Sequence, residues 1–139
     1  MNGYIANIED QTKKNPDFRH VVYSGTHLQL VLMSVAPGEE LGGEIHADTD
    51  RFFRIESGKG RVVIDGTPHK IVAGDGLVVP AGAHHNVLCT GHEPLKLYTI
   101  YGPPHHRDQL LQKTKAESDA SDEKFEGEAT EHAADAVRI

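Results

Sequence analysis

Two short segments framed by glycine and proline constrain this chain more than anything else in it. The first runs Gly38-Glu-Glu-Leu-Gly-Gly-Glu44-Ile-His46-Ala-Asp-Thr-Asp-Arg51 and closes at Gly58. The second runs Gly74-Asp-Gly-Leu-Val-Val-Pro80-Ala-Gly82-Ala-His84-His85. Glu44 and His46 are two residues apart, so on a strand both side chains take the same face. His85 follows a Pro-x-Gly corner, where a new strand begins. Two histidines and a carboxylate from two strands suit a divalent transition metal held on one side, with positions left for a ligand. The segments therefore predict a metal site at Glu44, His46 and His85 inside a β-barrel.

The rest of the chain reads as strands separated by turn signals. His27 to Ala36 places Leu28, Leu30 and Leu32 on one face and Val31, Met33 and Val35 on the other. Both faces are apolar, so this strand belongs between two layers. Phe52 to Glu56 and Arg61 to Asp65 flank the turn Ser57-Gly58-Lys59-Gly60, and Asp65-Gly66 is a tight-hairpin signal into His69 to Val72. Further strands are expected at 21–23, 77–79, 85–89 and 95–101, with Gly102-Pro103-Pro104 ending the β region. Closely spaced strands with no long core helix indicate an all-β sandwich or barrel. The organisation expected is an N-terminal arm over 1–19 with a helical turn near Glu9 to Asn15, and a barrel over 20–104. A short helix or loop over 105–115 and an acidic, mobile tail over 116–139 follow.

The formal charge of −7 is concentrated at one end. Residues 116–139 hold eight acids and two bases, which leaves the first 115 residues with a net charge of −1. A nearly neutral fold without an arginine stripe argues against nucleic-acid binding. The single Cys89 excludes an internal disulfide and fits a reducing compartment. No apolar stretch reaches membrane-spanning length, and the N-terminus lacks a signal-peptide pattern. The expectation is a soluble, cytoplasmic protein with no membrane partner.

The two segments resemble the paired motifs of the cupin superfamily, whose members are small double-stranded β-helix (jelly-roll) barrels. Gly38, Glu44, His46, Arg51 and Gly58 fall at the spacing of the first cupin motif. Gly74, Pro80, Gly82 and His85 fall at that of the second, with Cys89 at the motif's Asn position. The resemblance covers roughly residues 28–104. It implies a barrel of that type and a bound Mn, Fe, Ni or Zn ion. In the family pattern the ligands are three histidines and a glutamate. Here Glu44 replaces the first histidine, which keeps a ligand. Arg51 replaces the glutamate, or the glutamine of some relatives. A guanidinium stays protonated and cannot ligate a cation.

Two readings of Arg51 follow. It swings aside onto Asp48 or Asp50 and leaves Glu44, His46 and His85 as an open three-ligand site. Or it pairs with Glu44 and takes the place of the cation, leaving a metal-free pocket. In either case a buried positive group is an expected anchor for an anionic ligand. Three function classes remain. The first is a metal-dependent isomerase, epimerase, lyase or dioxygenase acting on a small anionic or sugar-like molecule. The second is a ligand-binding sensor, and the third is a metal-free enzyme with His85 or His46 as acid/base beside Arg51. His84 should point away from His85. His105 and His106, after two prolines, read as a solvated loop, and Tyr98 and Tyr101 as packing residues. Open barrel edges predict a homodimer.

Overall fold

The computed structural model describes residues 1–132. Strands β1 (Arg19–Ser24), β2 (Gln29–Val35), β4 (Asp50–Ser57), β7 (Gly76–Val79), β9 (Leu95–Gly102) and β10 (Leu111–Gln112) form one sheet. Its order is β10-β1-β2-β9-β4-β7. Strands β3 (Glu44–Ile45), β8 (His84–Cys89), β5 (Lys59–Ile64) and β6 (Thr67–Val72) form a second sheet in the order β3-β8-β5-β6. All pairings are antiparallel. The inner faces of the two sheets meet over Val31, Met33, Phe53, Ile55, Val62 and Val87, all essentially buried. This is the all-β jelly-roll barrel that the strand pattern and motif framework predict.

Local chemistry explains the main corners. Asp65 and Gly66, at φ 46° and 82°, make the two-residue hairpin between β5 and β6, a conformation that asparagine, aspartate and glycine tolerate best. Gly58 sits at φ +92°, and a Cβ there would meet the Pro94 carbonyl oxygen at 2.7 Å. No other residue type fits that crossing of β4 and β5 under the β8–β9 turn. β2 is buried on both faces, as its double apolar pattern requires, and Leu32 is 4% exposed. Helix α1 (Ile8–Lys14) lies on that arm, capped by Asn7 accepting from the Asp10 N–H.

The C-terminal part departs from expectation. The sequence pattern predicts a short helix or loop over 105–115. Instead Leu111–Gln112 pair with Arg19 and His20 at the sheet edge, and helix α2 spans Lys115–Asp119. Leu110 and Gln112 are buried while Leu111 is 44% exposed. That alternation is the period of a strand, and the open edge of β1 captures it. Residues 116–132, read from composition as a mobile tail, make defined contacts: Phe125 N–H to the His105 carbonyl, Thr130 N–H to the Ser24 carbonyl, and Glu131 to Tyr23. Composition alone misses this because the contacts are polar and need little apolar area. The remainder of that tail, 133–139, lies outside the described residues. Among the described residues no helix is long and apolar enough to cross a membrane.

Candidate functional site

The site forms where one row of facing residues in each sheet meets the other. In the six-stranded sheet, Gln29, Tyr101, Arg51 and Val79 stand directly opposite one another across β2, β9, β4 and β7. In the four-stranded sheet, Glu44 faces His85 across β3 and β8. His46 follows β3 on the side of Glu44, and its Nε2 lies 3.0 Å from Glu44 Oε2. The exposed Ile45 between them confirms the strand phase. Ligand atoms of Glu44, His46 and His85 all lie within 4.8 Å of one another. The sequence therefore named three residues that the fold does bring together, as a group that could hold a metal ion. His84 is exposed and turned away.

Arg51 faces inward and is 1% exposed. Its guanidinium is engaged on every side. Nε donates to Thr99 Oγ1 at 3.0 Å, and NH1 donates to Glu44 Oε2 at 3.1 Å and toward His85 Nε2 at 3.3 Å. NH2 points at the Met33 sulfur at 3.6 Å. Its Cζ lies 4.3 Å from the Phe53 ring centre and 4.4 Å from that of Tyr101, a cation held between two aromatic faces. Thr99 passes the anchoring on by donating to the Phe52 carbonyl.

The electrostatics follow from this packing. Burial pushes the Glu44 carboxyl up, but the His46 hydrogen bond and the Arg51 charge outweigh it and bring its pKa to about 2. Burial, then the Arg51 charge, push His85 down to about 4. Burial and the neighbouring His46 push His105 down to about 4 as well. Burial lowers Arg51 from its ordinary value, yet a guanidinium keeps its proton at neutral pH. At pH 7 the centre thus holds one cation, one carboxylate and neutral His85 and His105.

Does a divalent ion fit this donor set? Glu44 Oε2 and His85 Nε2, two of the three donor atoms, already accept from Arg51 NH1. An ion bound to Glu44 at about 2.1 Å would lie within about 5 Å of that nitrogen, a repulsion of ~7 kcal/mol at an effective dielectric near 20. Glu44 is the single carboxylate of the group and already balances the guanidinium. With Arg51 in this position a divalent cation has to compete with the guanidinium for Glu44 and His85. The same position leaves Arg51 without an exposed N–H, so it does not serve as the anion anchor expected from sequence.

Two features escaped sequence reasoning. His105, which the sequence places in a solvated loop, forms a wall of the site: its ring lies 4.3 Å from that of His46 and stacks on Tyr101 at 5.4 Å. Gln29 holds that wall. Its Oε1 accepts from the His105 and His106 N–H groups, and its Nε2 donates to the His106 carbonyl and Ser24 Oγ. A glutamine at the start of a largely apolar strand was the available signal, since a fully buried amide must find partners. Thr99 carried a similar signal at an inward position of β9.

The family model for the cupin domain matches residues 31–101. This chain is a member of the cupin family. It is 40% identical over 126 residues to the uncharacterized protein YrkC of Bacillus subtilis, covering 86% of this chain and 68% of that one. It is 37% identical to protein L612 of Acanthamoeba polyphaga mimivirus, covering 87% and 78%. The crystal structure of BH2720 from Bacillus halodurans superposes with a TM-score of 0.84 at 41% identity, covering 86% of this cupin and 96% of that chain.

Proposed function

We propose that this cupin binds a small polar molecule at the mouth of its barrel without a resident metal, the Arg51 guanidinium standing in the place of the cation. The observation that carries this reading is the NH1 contact with both Glu44 Oε2 and His85 Nε2. A pinned internal cation orients Glu44 as a metal would, at no cost in affinity for a free ion. From the mouth a ligand meets the Glu44 side chain, 29% exposed, then His46 and the His105 wall. A fixed carboxylate, imidazoles and an aromatic wall suit hydroxyl- or carbonyl-bearing molecules of sugar type better than anions, which Glu44 repels. His46 and His105 are the groups placed to move a proton on such a ligand.

A second reading, an Mn, Fe, Ni or Zn site, is favoured by the closeness of Glu44, His46 and His85. It requires Arg51 to leave its aromatic slot. Metal content and titration with those four ions, on wild-type protein and Arg51→Gln, separate the readings. The expected result is wild type well below one ion per chain and stoichiometric uptake in Arg51→Gln. Stoichiometric, Glu44-dependent uptake by the wild type would overturn the metal-free reading.

A further inference from the structure

Glu123 lies on a stretch of the C-terminal segment without regular secondary structure. Its carboxylate is nonetheless fully engaged. Oε1 accepts from His106 Nδ1 at 2.6 Å, and Oε2 accepts from the Arg107 backbone N–H at 2.7 Å. The side chain is 13% exposed. Two residues on, the Phe125 N–H donates to the His105 carbonyl. The segment therefore closes the His105–His106 turn from outside, while Gln29 clamps it from inside.

The chemistry of this chain of groups fixes its direction. Hydrogen bonds from His106 and Arg107 outweigh burial and keep the Glu123 pKa below its ordinary value, so the carboxylate is ionised and only accepts. His106 Nδ1 then carries the proton. Nε2 is left as an acceptor and takes the hydroxyl hydrogen of Tyr101 at 3.0 Å. The far end of the chain is the Tyr101 ring, fully buried and 4.4 Å from the Arg51 guanidinium carbon. Without the carboxylate, His106 is free to adopt the other tautomer. Its Nε2–H would then face the phenol, and the hydroxyl would have to find another acceptor in a site shut off from water.

We propose that Glu123 is a positioning residue of the barrel site: through His106 and Tyr101 it holds the aromatic wall against which the Arg51 guanidinium lies. This rests on the reading of Arg51 as the internal cation of the pocket. It gives the C-terminal segment a part in the site, although that segment contributes no group to the pocket itself.

The test is solvent exchange of the Arg51 Nε–H, followed by NMR on the full chain, with the Val31 backbone amide as internal reference. Glu123→Ala is expected to speed Arg51 exchange about tenfold, the scale of one lost charge-assisted hydrogen bond, and to leave Val31 unchanged. Glu123→Gln keeps an acceptor for the His106 Nδ1–H and should restore most of the protection. Tyr101→Phe keeps the ring and loses the hydroxyl; it should match Glu123→Ala, and the double variant should add nothing further. Unchanged Arg51 exchange in Glu123→Ala, equal acceleration at Val31, or multiplied effects in the double variant would each overturn the proposal. If Glu123→Ala does not fold, Tyr101→Phe carries the test alone, and wild-type protection of Arg51 there overturns it. Metal uptake by the wild type would remove the reading of Arg51 while leaving these exchange rates to judge the Glu123 chain separately.

Discussion

Arg19 and Arg51 are both buried arginines at inward positions of the same sheet, yet they are solved in opposite ways. Every nitrogen of Arg51 has a partner, and one partner is a carboxylate. Arg19 NH1 donates to two neutral oxygens, Gln112 Oε1 at 2.7 Å and Ser118 Oγ at 2.6 Å, and its buried Nε has no hydrogen-bond partner. Among the described residues no carboxylate lies within ion-pair distance of it. The difference shows two ways of burying a guanidinium. At Arg51 the strands bring opposite charges together. At Arg19 the late C-terminal elements β10 and α2 supply dipoles to a cation that belongs to the packing.

Substitution should expose that contrast. Arg51→Met leaves Glu44 partly buried beside His46 without its cation and is expected to destabilise by about 3 kcal/mol, at the low end for a broken buried pair because Glu44 is partly solvated. Chemical denaturation measures it, and a loss no greater than that of Arg19→Met would erase the distinction. The pH profile sharpens it. His85, His105 and His106 are held at about 4, by burial first in each case, against 6.5 in the unfolded chain. Their folded values are depressed, so the stability they confer is present above pH 6.5 and is lost as pH falls toward 4, at up to ~1.4 kcal/mol per pH unit for each. Glu44 extends the loss from about pH 4.5 down to about 2. Denaturation midpoints across pH 4–7 should show this fall. In Arg51→Met it should be shallower, because the charge that helps depress His85 is gone; an identical slope would mean that Arg51 does not act on His85.

Smaller effects come from the partners. Thr99→Val removes the acceptor for Arg51 Nε and the bond to the Phe52 carbonyl, with an expected cost of about 1.5 kcal/mol and faster exchange of the Arg51 Nε–H. Arg19→Met trades two hydrogen bonds for relief of an unmatched buried charge and should change stability by about 1 kcal/mol or less. A larger loss there would mean that Arg19 is better compensated than its contacts indicate.

The fold was legible because it rests on local chemistry. Gly58, the Asp65-Gly66 hairpin and the Pro80-Ala-Gly82 corner each demand a particular backbone, and the two-faced apolar pattern of β2 demands two layers. The same periodicity placed Glu44 and His46 on one face and turned His84 outward. Where the pattern was short and polar it misled: the edge of β1 claimed Leu111–Gln112 as a strand, and the His105–His106 turn became a wall because Gln29 holds it.

By itself, then, the sequence determined the barrel, its family and the meeting of Glu44, His46 and His85, since turns and strand phase are set by neighbours along the chain. Only the tertiary structure decided what Arg51 does there. Its direction depends on Phe53, Tyr101, Thr99 and Met33, which arrive from three strands and make the aromatic slot more favourable than the solvent side. The link from Glu123 to the same slot spans 72 residues of sequence, and only folding closes a distance of that kind.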